Sequence, residues 1–396
     1  LKRSFLFLNL LKSFFMRKIE MVDLKSQYKF IKKEVDEGIK KVIENSTFIN
    51  GPSVKEFQFD LEQYIGVKHV IPCANGTDAL QIALMSLNLS PGDEVITSDF
   101  TFAATVEVIS LLGLTPVLVD VDEVTFNINP QEINKAITDK TRVIIPVHLF
   151  GQSADMDQIL KIAKNNDLYV IEDNAQGIGS EYKSLNNKSY KTGSMGNLSA
   201  TSFFPSKNLG AYGDGGAIFT NNDELANVIR GIVNHGMYKR YYHDVIGVNS
   251  RLDSIQASIL KVKLKYLDYY NERRKEAAIR YSLILKNIDG IIVPKVVSGC
   301  NTHVFHQYTI RIKNKLRDNL VKYLNGNSIP CGIYYPVPLH LQKAYKNERY
   351  IENNFRVTNK IVNEVISLPM HSELSIDQIG YITDHILKFF NEKSNK

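Results

Sequence analysis

The sequence has no tryptophan, only three cysteines and only twelve prolines in 396 residues. Cys73, Cys300 and Cys331 make no CxxC pair and no even-numbered framework. That argues against a disulfide scaffold and a structural zinc site, so no metal is expected, and it fits a reducing cytoplasm. A basic block or arginine-rich arm is also missing. The net charge of +6 comes from lysines spread along the whole chain, so no nucleic-acid partner is expected. The apolar run that invites a membrane reading, "LKRSFLFLNLLKSFF", is interrupted by Lys12 and lacks a small-residue cleavage site. It is also too short to span a bilayer. Residues 1–15 read as an upstream extension, because Met16 and Met21 stand just before the well-patterned "IEMVDLKSQY". A membrane-surface helix is the alternative.

What is present is an ordinary globular composition, 44% apolar and 23% charged, in a chain long enough for two domains. Between about 68 and 220, short β-branched runs such as "HVIPCA", "DEVITSD", "RVIIPVHLFG" and "LYVIED" alternate with amphipathic helical patterns. Apolar runs of that length, each followed by a helix, predict a mostly parallel sheet flanked by helices. Residues 16–266 are assigned to this large α/β domain. The long helical stretch "RLDSIQASILKVKLKYLDYYNERRKEAAIRYSLILKN" leads into a smaller α+β unit, 267–396, whose charged tail "NEKSNK" reads as frayed.

In open parallel sheets ligands gather at the carboxyl ends of the strands, and three features fall there. Asn75-Gly76-Thr77 lies between a strand and a helix. Glycine permits close approach, and the unpaired amides with the Thr77 hydroxyl would hold a phosphate. Plain N-capping is the alternative. Asp173 ends "LYVIED", with Gln176 three residues on; a buried carboxylate there needs a cationic or donor partner, or caps a helix. Lys207 stands in "TSFFPSKNLGAYGDGG", nearly free of other charge, with Ser202 and Ser206 nearby. A desolvated lysine becomes a neutral amine ready to form a Schiff base, although a lysine in a loop is common. Taken together, a phosphate cradle, an anion for a ring nitrogen and an amine are what pyridoxal 5'-phosphate requires.

The segments "ANGTDALQIAL", "IEDNAQGIGS", "SFFPSKNLGAYGDGGAIFTN", "NHG", "GVNSRLDSIQASIL" and "YYPVPLHLQ" follow one another in order. The chain resembles, over nearly its whole length, the DegT/DnrJ/EryC1/StrS sugar aminotransferases, fold type I pyridoxal phosphate enzymes. By that resemblance Lys207 carries the cofactor and shuttles the proton. Asp173 pairs with the ring nitrogen, and Gln176 lies near the ring hydroxyl. Phe102 stacks on the ring, with core packing as its plain alternative. Gly76, Thr77 and Ser202 bind the phosphate, and Asn249 reaches it from the partner of a homodimer with shared active sites.

On the substrate side the resemblance implies Ser46, Phe48, Ser206, Arg251, Tyr334 and Tyr335; an ion pair is the alternative for Arg251. The nearest likeness is to enzymes that aminate UDP-2-acetamido-2-deoxy-3-oxo-glucuronate with L-glutamate, releasing 2-oxoglutarate, for O-antigen synthesis. Phe48 replaces a tyrosine of those enzymes and Tyr334 a histidine, so dTDP-3-keto-6-deoxyhexoses are the other substrate expectation. A non-catalytic regulator, or an aldolase or decarboxylase on the same fold, are the competing classes.

Overall fold

The computed structural model describes residues 18–297 and 299–394. The expectation for residues 1–15 therefore lies outside the described residues. A seven-stranded sheet forms the centre, with order β1-β9-β8-β5-β4-β2-β3. Its members are β1 (His69–Cys73), β2 (Glu94–Ser98), β3 (Thr115–Val119), β4 (Thr141–Ile145), β5 (Tyr169–Asp173), β8 (Leu198–Ser202) and β9 (Gly216–Thr220). Strands β3, β2, β4, β5 and β8 pair in parallel. Strand β9 runs antiparallel to both of its neighbours, β8 and β1. All but β9 therefore end at one edge.

Alternate side chains of each strand serve opposite layers, as the pleat requires. Ile71, Val143, Ile145, Ile171 and Ile218 pack with the helices Gly76–Met85, Ala104–Leu111 and Asp223–Ile232 on one face. On the other, Val70, Ala217 and Phe219 meet the helices Pro52–Ile65 and Ser254–Lys265, while Ile144 and Val170 meet Met156–Asn165. Both faces are covered, which is why these strands read as nearly unbroken apolar runs. This is the mostly parallel, helix-flanked sheet that the sequence pattern predicts.

Two small strand pairs lie outside this sheet: β6 (Glu181–Lys183) with β7 (Ser189–Lys191), and β10 (Met237–Lys239) with β11 (Tyr242–His243). A second core follows the helix Leu267–Leu285. There β12 (Ile291–Ile292), β14 (Tyr308–Ile312) and β15 (Val365–Leu368) form an antiparallel sheet, and β13 (Cys300–Thr302) returns to pair with β6. Tyr281, Tyr308, Ile310, Leu324 and Ile382 centre this cluster.

Ile19 joins the second core rather than the first, and the Met370 N–H donates to the Met21 carbonyl at 3.2 Å. The first described residues thus lie against the smaller unit, where the Ile19 side chain is buried. The last helix, Ile376–Ser394, continues through residues that the charge pattern marks as a frayed tail. Among the described residues no helix is long and apolar enough to cross a membrane, and no cluster of potential metal ligands occurs.

Candidate active site

The edge where the parallel strands end carries a cavity of about 640 Å³. At its floor Asn75 caps the helix Gly76–Met85, its Oδ1 accepting from the Asp78 N–H at 2.8 Å. Capping and cradle coexist, because Gly76 and Thr77 both line the cavity. Neither Gly76 nor Gly216 has room for a side chain. A Cβ on Gly76 would lie 2.6 Å from Ser202 Cβ, and one on Gly216 would lie 2.3 Å from the Asn75 carbonyl oxygen. Backbone therefore packs on backbone around the first helical turn, whose amides have no partner within the helix.

Asp173 is 5% exposed and closes one side. Its Oδ2 accepts from the Thr105 hydroxyl at 2.8 Å, and its Oδ1 from the Ala175 N–H at 3.1 Å. Burial pushes its carboxyl above the ordinary value, against those two hydrogen bonds and the nearby charges of Lys207 and His148. No helix follows Asp173, only turns, so the capping alternative does not apply.

Lys207 faces the same cavity from the loop between β8 and β9. That loop is laced shut: Phe203 donates its N–H to the Gly215 carbonyl and Ala211 donates to the Phe203 carbonyl, both at 2.7 Å. The Lys207 N–H donates to the Phe204 carbonyl at 2.8 Å. Desolvation brings the Lys207 ammonium down to about 8, with the Asp173 carboxylate pulling the other way. Near neutral pH a usable fraction of this amine is unprotonated.

Gln176 bridges two walls. Its Oε1 accepts from the Phe150 N–H at 2.8 Å and its Nε2 donates to the Tyr335 hydroxyl at 3.2 Å. Phe102 is 58% exposed, so core packing does not describe it. Its ring centroid lies 6.3 Å from that of Tyr335. Ser202, Ser206, Tyr334 and Tyr335 complete the sequence-derived residues that meet here.

Four others do not meet in this cavity: Ser46, Phe48, Asn249 and Arg251. Their segments run side by side outside it. The Phe48 carbonyl accepts from the Ser254 N–H at 2.9 Å, and Ile49 bridges Asp253. Phe48 is 44% exposed and Asn249 is also exposed. Between Asn249 and Arg251, buried Ser250 accepts from the Ala74 N–H at 3.0 Å, so this surface strip is fastened just behind the cradle.

Sequence reasoning missed two residues. Thr105 has no signal in sequence, since its partner Asp173 is far along the chain. His306 lines the wall next to Lys207 and shares a 3.2 Å hydrogen bond between its Nδ1 and Asn208 Oδ1. Burial, then the charges of Lys207 and Arg274, push its imidazole well below the ordinary value. The adjacency of Asn208 to Lys207 was the available clue.

These donors fit pyridoxal phosphate. The helix N-terminus with Thr77 and Ser202 suits a dianion, Asp173 suits a protonated ring nitrogen, and Lys207 suits an aldehyde carbon. The sequence profile of the DegT/DnrJ/EryC1/StrS aminotransferase family matches residues 29–387.

The chain belongs to that family. It is 46% identical to a "Pleiotropic regulatory protein" of Geobacillus stearothermophilus, over 94% of this chain and 98% of that one. It is 45% identical to the UDP-2-acetamido-2-deoxy-3-oxo-D-glucuronate aminotransferase of Pseudomonas aeruginosa, over 92% of this chain and 98% of the relative. Among solved structures, a family aminotransferase from Brucella abortus superposes with TM-score 0.89 at 40% identity, covering 94% and 99% of the two chains. NtdA of Bacillus subtilis, with its cofactor PMP bound, gives 0.84 at 31% identity, covering 91% and 82%. This family member is an aminotransferase, and its cofactor is pyridoxal phosphate.

Proposed function

We propose that the protein transfers an amino group from L-glutamate to a 3-keto nucleotide sugar, UDP-2-acetamido-2-deoxy-3-oxo-glucuronate, for O-antigen synthesis in the cytoplasm. The observation that carries this reading is one cavity joining Lys207, Asp173 and the Gly76–Thr77 turn, in a chain 45% identical to an aminotransferase named for that sugar.

Pyridoxal phosphate, when bound, supplies an electron sink for the pair left at the substrate carbon. The chain's own groups do the rest. Thr77, Ser202 and the first helical amides hold the phosphate. Asp173 keeps a proton on the ring nitrogen; a buried carboxylate holds such a cation by a charge-assisted hydrogen bond. Gln176 would stand by the ring hydroxyl and Phe102 would cover one face. Lys207 Nζ would hold the cofactor and would move the proton at the substrate carbon, a task for a base whose pKa lies near the working pH.

The strip of exposed Ser46, Phe48 and Asn249 with half-buried Arg251 supports a homodimer with shared sites, in which these residues complete the partner's cavity. Arg251 would take the sugar carboxylate, which a guanidinium binds in bidentate fashion. Tyr334 and Phe48, different from the residues of the likened enzymes, favour dTDP-3-keto-6-deoxyhexoses as the second substrate reading. The regulatory name of one relative raises a non-catalytic reading, and conversion of the cofactor to its amino form by glutamate separates the two. The deciding assay offers 2-oxoglutarate with each aminated nucleotide sugar and follows glutamate formation. Preference for the UDP-3-amino-uronic acid supports the proposal; preference for a dTDP-3-amino-6-deoxyhexose replaces it with the second reading.

A further inference from the structure

Asp99 directly follows β2 and is fully buried. All of its acceptors reach one short stretch, the turn Leu339–Leu341. Its carbonyl accepts from the Leu339 N–H at 3.2 Å. Its Oδ1 accepts from the His340 N–H and its Oδ2 from His340 Nδ1, each at 2.7 Å. The imidazole is 4% exposed and stacks on Phe355, with ring centroids 4.2 Å apart at 13°. His340 Nε2 is buried and has no hydrogen-bond partner among the described residues.

A buried pair of this kind is a costly way to hold two segments together, because apolar packing of the same volume commonly stabilises as much. What it adds is direction. Two N–H groups of one residue on the two oxygens of one carboxylate fix both position and rotation. Each partner sits at the root of a cavity wall. Thr101 and Phe102 lie two and three residues beyond Asp99, and Ile333 to Pro336 precede Leu339 in the opposite wall. The walls meet at Tyr335, whose ring lies 5.8 Å from Phe100 and 6.3 Å from Phe102.

We propose that Asp99 and His340 are positioning residues. Their contact fixes the separation of the Phe102 and Tyr334–Tyr335 walls and so sets the fit of the acceptor sugar. This rests on the reading that the Tyr334–Tyr335 end of the cavity receives that sugar. L-Glutamate is much smaller than a nucleotide sugar and does not need both walls.

Three variants test it. Asp99→Ala removes both acceptors, His340→Phe keeps the stacking on Phe355 without a donor, and His340→Asn retains a donor where Nδ1 stood. KM and kcat are measured with UDP-2-acetamido-2-deoxy-3-oxo-glucuronate, and the rate of cofactor conversion by L-glutamate is measured separately. Hydrogen exchange is followed over 333–341 and over 198–207. Asp99→Ala and His340→Phe should raise KM for the sugar roughly tenfold or more, the usual consequence of a lost buried charge-assisted bond. The glutamate rate should stay within about twofold, and His340→Asn should recover most of the loss. Exchange should quicken over 333–341 and not over 198–207.

An unchanged sugar KM, equal losses with both substrates, or no advantage of Asn over Phe would overturn the proposal. If the wild type accepts no such sugar, the substrate reading fails. The positioning role is then decided by exchange, and unaltered protection of 333–341 ends it.

Discussion

Thr105 donates its hydroxyl proton to Asp173 Oδ2 at 2.8 Å, and both side chains are buried. The helix Ala104–Leu111 and the end of β5 are thereby joined at the carboxylate proposed to face the cofactor's ring nitrogen. Thr105 opposes the effect of burial on the carboxyl. Thr105→Val should therefore push the Asp173 carboxyl further up and shift the acid limb of the pH–rate profile to higher pH. A fall in kcat of roughly tenfold at neutral pH is expected from the lost bond. A full pH profile of kcat checks this, and an unmoved acid limb would remove Thr105 from the site.

Asp173 itself should separate stability from catalysis. Its folded-state pKa is raised, so the folded cofactor-free chain binds a proton more readily than the unfolded one. The stabilisation is present below the ordinary carboxyl range and is lost as pH climbs through the raised value. Asp173→Asn should hence raise the Tm of the cofactor-free protein at pH 8 while slowing turnover by about a hundredfold or more. Thermal melts of cofactor-free wild type and variant, paired with turnover rates, give the comparison.

Lys207 should reveal its lowered pKa in cofactor capture. Only the neutral amine adds to an aldehyde, so the rate of reconstitution with pyridoxal phosphate should rise with pH and level off above about 8. Stopped-flow absorption measures it directly. Lys207→Ala should lose the visible absorption and at least about a thousandfold of turnover. A variant that keeps more than a trace of activity would overturn the assignment.

Gly76 is tested by adding one carbon. The Cβ of Gly76→Ala would meet Ser202 Cβ at 2.6 Å and Ser202 Cα at 3.1 Å, so the cradle must open. Cofactor affinity should fall roughly tenfold or more, read by equilibrium titration, with the overall fold retained by circular dichroism. Wild-type affinity would mean that the phosphate binds elsewhere.

The shared site is tested by mixing subunits. Lys207→Ala and a crippled Asn249 variant are each inactive, yet a mixed dimer would hold one intact site. Activity should reappear on exchange, to about a quarter of the wild-type value at equal random mixing. Its absence after verified exchange would count against the dimer.

Much of the site was legible because the chemistry-bearing residues cluster within short motifs at strand ends. "ANGTD", "VIED" and "FFPSK" each name a place in a parallel sheet, and β-branched runs covered on both faces name the sheet. The pairings between motifs were not legible. Thr105 and Asp173 lie 68 residues apart, and Asp99 and His340 lie 241 apart. Nothing in a local pattern encodes either contact. The packing of Ile19 in the smaller unit's core is a contact of the same long-range kind. Phe102 was open between ring face and core, and its exposure removes the core alternative.

The one reversed strand of the sheet, β9, gives the lysine loop two fixed ends. Ser202 and Gly216 are direct partners across β8 and β9, so the loop between them begins and ends a single strand spacing apart. Such a hairpin cannot swing away as a free arm would. The amine of Lys207 explores only the reach of its own side chain, and its effective concentration at the cavity stays in the millimolar range or above, as for any short tether. The amine proposed to hold the cofactor is thus kept on a leash.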